Sequence, residues 1–198
     1  MKKLLVATNN QGKVKEIKKI FDGIYDEILT FKDLDVKIET EEDGKTFAQN
    51  ARKKATEAHQ ITGLDCLADD SGLCVDIFGG APGIYSARFS GINATDASNN
   101  ELLLEKLKQI TPEKRAAHFS CAICLVRGGK KEINTYGEFH GAILDKPCGK
   151  NGFGYDPLFY VPEYDMTSAE LSSEVKNKIS HRANALNELK RILDEENA

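Results

Sequence analysis

No apolar run in this 198-residue chain is long enough to cross a bilayer, and no excess of basic charge, internal repeat or linker rich in glycine, proline or serine is present. Each absence excludes something. Without a stretch of about 18–20 apolar residues a membrane-spanning helix is not expected. The opening "MKKLLVATNN" imitates a secretory leader, but its apolar run stops after Ala7, too short for the hydrophobic core of one. A soluble, cytoplasmic protein is the expectation. Lysine and arginine number 27 against 31 aspartates and glutamates, for a net charge of -4, and the two signs are interspersed. No broad positive field is left to hold a nucleic-acid backbone, so a polymer partner is not expected.

The five cysteines, Cys66, Cys74, Cys121, Cys124 and Cys148, form an odd set with no regular framework, which suits a reducing compartment. Cys121 and Cys124 lie three apart in a segment with strand character. They point to opposite faces there, cannot share a metal, and read as small buried hydrophobes.

What is present is an alternation of strand and helix signals, consistent with one domain over 1–198 and 40% hydrophobic residues to fill its core. "KKLLVAT" reads as a buried strand, and after the polar turn "NNQG" the residues Val14, Ile17, Ile20, Phe21 and Ile24 recur at helical spacing from near Lys13. "EILTFKDLDVKI" predicts a second strand with an irregular tail. "TFAQNARKKATEAHQITG" predicts a helix built on Phe47, Ala51, Ala55 and Ala58 and stopped at Gly63. "LDCLADDSGLCVDIFGG" predicts a strand entering the pair Asp69-Asp70 and a strand or turn leaving it. A helix ending before Pro112 follows, then a hairpin turning at Gly128-Gly129. The C-terminal stretch opens with a capping-box pattern, Thr167 to Glu170, and continues as one long helix or two in series. Hairpins and crossovers together define an α/β class with a mixed sheet.

Asp69 and Asp70 stand in an otherwise apolar stretch. A buried carboxylate without compensation costs several kcal/mol, so the pair needs donors, a cation or a chemical task. Four stretches offer partners, each with a plainer alternative. In "ATNNQGK" a turn between strand and helix aims backbone N–H groups at one spot, an anion site to which Thr8, Asn10 and Lys13 add donors and charge. An ordinary capped helix start uses the same residues. It is not a P-loop, because the second glycine is missing and valine follows the lysine. In "ETEEDGKTF" the acids Glu39, Glu41, Glu42 and Asp43 precede a helix, where a solvated acidic face is common. Packed beside Asp70, one of these glutamates would complete the sparse carboxylate set that Mg²⁺ prefers. In "GKNGFGYDPLFYVPEY" glycines alternate with Phe153 and Tyr155 ahead of Asp156, as for close approach to and stacking on a flat ring, or for a turn before a core strand. In "KNKISHRANAL" a continuous helix would put Lys176 and Ser180 on one face with His181 and Arg182 just beyond, able to converge on a ligand or to face solvent.

Taken together and in order, "ATNNQGK", "ADDSGL", "GGAPGIYSARFSG", "GFGYDPLF" and "SHRANAL" resemble the nucleoside triphosphate pyrophosphatases of the Ham1-like or ITPase family, nearly end to end. The resemblance implies an elongated mixed β-sheet flanked by helices, two lobes with a central cleft, a homodimer and Mg²⁺. It implies hydrolysis of ITP, dITP or XTP at the α–β bond to monophosphate and pyrophosphate. Carried over residue by residue, Thr8, Asn9, Asn10, Gln11, Gly12 and Lys13 would hold the triphosphate with Lys54, and Ser71 would contact substrate. Asp70 would be catalytic, assisted by Lys13, and would bind the metal with Glu41 or Glu42. Phe153, Gly154, Tyr155, Asp156, Lys176, Ser180, His181 and Arg182 would form the base pocket. Asp69, one residue from Asp70 and so on the opposite face of the strand, would be structural or would support the site at one remove. The family often has glycine where this chain has Asn9, a residue that tolerates left-handed backbone. Rival readings are a broader nucleotide phosphatase or pyrophosphatase and a binding module without turnover.

Overall fold

In the computed structural model, residues 2–197 are described. Strand β1 (Lys3–Val6) leads through a short turn into helix α1 (Gln11–Ile20), and β2 (Glu27–Thr30), α2 (Phe47–Thr62) and β3 (Asp65–Val75) follow. After two 3-10 turns come α3 (Asp96–Leu107), β4 (Ala116–Val126), β5 (Ile133–Ile143), β6 (Phe159–Val161), β7 (Met166–Thr167), α4 (Ser173–Ile179) and α5 (His181–Asn197). The strands form one seven-stranded sheet in the order β2-β1-β3-β4-β5-β6-β7. β1 runs parallel to both β2 and β3, with Val6 opposite Thr30 and Leu67, while β6 is antiparallel to β5 and β7. The sheet is mixed, as the combination of hairpins and crossovers predicts.

The chain divides into two compact units, 1–70 with 121–137 and 181–198, and 71–120 with 138–180. In the first unit the two-residue period of a strand sorts side chains between two helical layers. Leu4, Val6 and Leu67 pack with Val14 and Ile17 of α1, with Phe21 just past its end, and with Leu186, Leu189 and Leu193 of α5. Leu5, Cys66 and Ala68 face the other way, against Ala51, Ala55 and Ala58 of α2. The alanines of α2 let that helix lie close to the sheet. Cys121 and Cys124 separate between these same two cores, and all five cysteines are free. In the second unit Leu73 and Val75 pack with Leu103 and Leu107 of α3 and with Phe119, Phe139 and Phe159, whose rings lie 4.6 Å (Phe119–Phe159) and 5.2 Å (Phe139–Phe159) apart.

Three local expectations change. α1 begins at Gln11 and not near Lys13, because the Asn10 side chain caps it, accepting from the backbone N–H of Gly12 and Lys13. The acidic pair does not separate two strands; β3 runs unbroken through it for 11 residues. Thr167 starts no helix. Glu170 Oε2 accepts from both the Thr167 N–H and its hydroxyl, and the Glu170 N–H goes to the Thr167 carbonyl; these bonds close a turn after β7, and α4 starts later with Ser172 as its cap. The C-terminal region is two helices in series, broken where Ser180 adopts extended backbone. α2 ends as predicted, at Gly63 in left-handed conformation.

Candidate active site

The alternation that sorts the core also separates the two aspartates. Asp69 shares the parity of Leu67 and faces the layer of α1 and α5; Asp70 shares the parity of Cys66 and Ala68 and faces α2. Both are buried, Asp69 completely.

Asp69 is met by two cations. Lys13 Nζ, from the first turn of α1, lies 2.9 Å from Oδ2, and Arg182 of α5 donates through Nε and Nη2 at 3.2 and 3.1 Å. Arg182, itself 1% exposed, also donates to Glu16 one turn along α1 from Lys13. Burial pushes the Asp69 carboxyl up, but Lys13, Arg182 and Lys54 outweigh it and hold the group well below the usual carboxylate range. Burial, added to by the same carboxylate, lifts the neighbouring Cys121 thiol to about 12, so that sulfur is a neutral core group.

Asp70 has a different company. Asn50 Nδ2 donates to its Oδ2 at 2.9 Å, and Lys54 Nζ lies 3.7 Å from Oδ1 while bonding Glu42 Oε1 at 2.6 Å. Burial raises the Asp70 carboxyl above its ordinary value; Lys54, Lys13 and Asn50 oppose that without cancelling it, and Glu42 adds to the rise. Asn50 also ties down the acidic loop: its Oδ1 accepts from the Gly44 N–H at 2.8 Å, and any side chain at Gly44 would run into that oxygen. The loop therefore does pack beside Asp70. Glu42 is the acid it delivers, whereas Glu41 lines a separate open groove with Gln49, Arg52 and Lys53.

The first turn is tidier than an open anion cradle. Asn10 takes up the N–H groups of Gly12 and Lys13, the Thr8 hydroxyl oxygen accepts from the Asn10 N–H at 3.2 Å, and the Asn9 carbonyl accepts from Gln11 Nε2 at 3.5 Å. Asn9 has no need of left-handed geometry: among the described residues the non-glycine positions with positive φ are Asp35 and Asp165. From this turn it is the Lys13 side chain that reaches the carboxylates. Ser71 is the next residue of β3, partly buried.

The second unit gathers another group. Asp156, 3% exposed, accepts from Lys176 Nζ at 2.5 Å, from the Phe153 N–H at 2.8 Å and from the Ser168 hydroxyl at 2.8 Å. Lys176 Nζ sits 5.3 Å from the centroid of the half-buried Phe153 ring. Tyr155 is buried in the core and its hydroxyl donates to the Ser86 carbonyl, which leaves Phe153 as the partly exposed ring of the two. Gly152 must be glycine, because its φ of +77° is left-handed and a Cβ would strike the Asp156 carboxylate.

Lys176 and Ser180 are not displayed on one continuous helix face, since Ser180 caps α4 with its N–H on the Lys176 carbonyl at 3.0 Å. His181 opens α5 and is buried, and Arg182 points at Asp69 and Glu16. Asn50, Glu16 and Ser168 complete these clusters and are absent from the sequence expectations. Asn50 and Glu16 carry a signal in hindsight: Asn50 is four residues before Lys54 and Glu16 three after Lys13, each on the face of a predicted helix that already held a candidate. Ser168 carries none.

A pair of adjacent carboxylates split between two sheet faces, with lysines from the first turn of α1 and from α2 aimed at them, gathers buried titratable groups on an α/β fold in the manner of a functional site. The profile of the Ham1 family matches residues 4–192, a span that crosses both compact units. The chain is 53% identical over 190 residues to the dITP/XTP pyrophosphatase of Geobacter sulfurreducens, covering 96% of each chain. It is 47% identical over 195 residues to the dITP/XTP pyrophosphatase of Listeria monocytogenes, covering 98% of this chain and 96% of the other. Among solved structures, the Staphylococcus aureus Ham1 protein superposes with a TM-score of 0.87 at 43% identity, covering 98% of this chain and all of the other. The chain belongs to the Ham1 family.

Proposed function

We propose that this chain hydrolyses the α–β anhydride of non-standard purine nucleoside triphosphates, ITP, dITP and XTP, to the monophosphate and pyrophosphate, and so clears them from the nucleotide pool. The observation that carries the reading is Asp70: a buried carboxylate with its charge incompletely offset, beside Lys54 and Glu42. The relatives named as dITP/XTP pyrophosphatases supply the substrate class.

In the proposed reaction water attacks the α-phosphorus in line with the departing pyrophosphate, so catalysis is mostly positioning and charge neutralisation. Asp70 orients that water and accepts its proton. Lys13 and Lys54 carry positive charge to the leaving pyrophosphate. Thr8 through Gly12 form the turn that brings Lys13 to it, and Ser71 lies next to Asp70 on the strand. Arg182, with its donors on Asp69 and Glu16, holds Asp69 and through it Lys13, a positioning role in place of a base contact.

Mg²⁺ suits the donor set at Asp70. Two hard carboxylates, Asp70 and Glu42, already share a positive charge, the Lys54 ammonium. Among the described residues no group of three or more His, Cys, Asp or Glu side chains is arranged to hold a metal, and one or two carboxylates with the remaining positions left to water and phosphate is the pattern Mg²⁺ takes. When bound by Asp70 and Glu42 it would supply charge that offsets the phosphate oxygens.

Base choice rests on the second unit. The Lys176 ammonium, held by Asp156 over Phe153, favours the C6 keto oxygen of hypoxanthine or xanthine and opposes the C6 amino group of adenine. A buried donor left facing a donor costs roughly 1–3 kcal/mol, enough for about 5–150-fold discrimination. We further propose that 1–198 acts as one domain and as a homodimer. A nucleotide panel with Mg²⁺ tests the whole reading. Pyrophosphate from ITP, dITP and XTP in preference to ATP is expected; orthophosphate would support a broader phosphatase, and absence of product a binding module.

A further inference from the structure

The loop that carries Phe153 is pinned at that residue, where Asp156 accepts from the Phe153 N–H, and has glycine on either side of it. Gly152 and Gly154 both have positive φ, +77° and +63°, and Gly154 has open space where a side chain would be. Glycines in such a loop lower the cost of the conformation and equally the cost of leaving it. Asp156 fixes the Phe153 side of the loop; the Gly154 side has to be fixed from outside it.

Helix α3 does so at one peptide position. Asp96 Oδ2 accepts from the Gly154 N–H at 2.7 Å, and Asn100 Nδ2 donates to the Gly154 carbonyl at 2.9 Å. The two residues are four apart, so they stack on one face of the helix and bracket the backbone of Gly154 from both sides. The helix itself is seated firmly. Thr95 and Ser98 form a reciprocal capping box at its start, and the buried Asn99 donates to the carbonyls of Ser86 and Ala87 and accepts from the Ser90 N–H. The Ser86 carbonyl also accepts from the Tyr155 hydroxyl at 2.8 Å, so helix and loop share an anchor.

We propose that Asp96 and Asn100 are positioning residues for nucleobase recognition: by clamping Gly154 they set the orientation of the Phe153 ring, and with it the selectivity of the enzyme. The inference rests on the substrate reading given above. It assigns no chemistry to either side chain.

Asp96→Ala and Asn100→Leu each remove one bond of the clamp, and Asp96→Asn keeps the acceptor as the conservative control. Loss of one such bond corresponds to about a 5–10-fold rise in KM for ITP with kcat little changed, since the clamp acts on binding in ground and transition states alike. Inhibition by inorganic pyrophosphate, which uses Lys13 and Lys54, is expected to stay within twofold of the unaltered chain, and Asp96→Asn to keep a KM near normal. Backbone-amide hydrogen exchange at Gly154, followed by NMR without nucleotide, should quicken in Asp96→Ala and not in Asp96→Asn. Unchanged exchange would overturn the clamp whatever the substrate. Unchanged KM, or pyrophosphate inhibition weakened as much as KM, would overturn its role in base selection. If the unaltered chain fails to cleave ITP while Gly154 exchange responds as expected, the substrate reading falls, and the role in base selection with it, while the clamp on Gly154 stands.

Discussion

Asp69 and Asp70 are neighbours in sequence, equally acidic in isolation and both buried, yet the strand turns one toward α1 and α5 and the other toward α2. Asp69 meets a lysine and an arginine and is driven to the charged form; Asp70 meets an amide and a lysine shared with Glu42, and is driven toward the neutral form. Full compensation describes a carboxylate whose task is to hold others in place. Incomplete compensation describes one kept ready for a cation, a proton or both. The difference arises from the two-residue strand period and from which helix lies over each face.

The largest effect expected from breaking this contrast is on turnover. Asp70→Asn should lower kcat for ITP at saturating Mg²⁺ by about 10²–10⁴-fold, the span associated with removing a general base. Asp69→Asn should lose far less, and equal losses in the two assays would erase the distinction. Next is stability. Asp69→Asn takes the anion from Lys13 and leaves Arg182 with Glu16 alone, and should cost about 3–5 kcal/mol in denaturant unfolding. Asn50→Ala cuts the link from Gly44 to Asp70; it should cost about 1–3 kcal/mol and weaken Mg²⁺ activation, read from the Mg²⁺ concentration at half-maximal rate.

The smallest effect has the opposite sign and is the sharpest. A carboxyl whose pKa is raised by folding contributes stability below its unfolded pKa, and loses it as pH rises through the folded value. At neutral pH the charged Asp70 therefore weighs against the fold when no metal is bound. Asp70→Asn should raise unfolding stability without Mg²⁺ by about 0.5–2 kcal/mol, in the range seen when an active site is traded for stability. Asp69, with a depressed pKa, contributes stability above its unfolded pKa that is lost as pH falls.

Much of this was legible in the sequence because periodicity carries it. The alanine ladder of α2, the stop at Gly63, the hairpin at Gly128-Gly129 and the opposed faces of Cys121 and Cys124 all follow from spacing. The opposed faces of Asp69 and Asp70 follow as well. Which face would be fully neutralised did not, since that depends on Arg182 returning from more than a hundred residues away. The break at Ser180 was ambiguous because "KNKISHRANAL" has helical spacing on both sides of a residue that also caps well. Thr167 and Glu170 make one of the two bonds of a capping box, Glu170 accepting from the Thr167 N–H, while the Glu170 N–H goes to the Thr167 carbonyl and closes a turn in place of a helix start.

The most direct measurement is a pH titration of the two carboxyl carbons, followed by NMR in one metal-free sample selectively labelled at aspartate and assigned with the two Asn variants. The account predicts that Asp70 takes up its proton above the ordinary aspartate value while Asp69 stays ionised down to acid unfolding. Titration of both at the same pH, or in the reverse order, would contradict it.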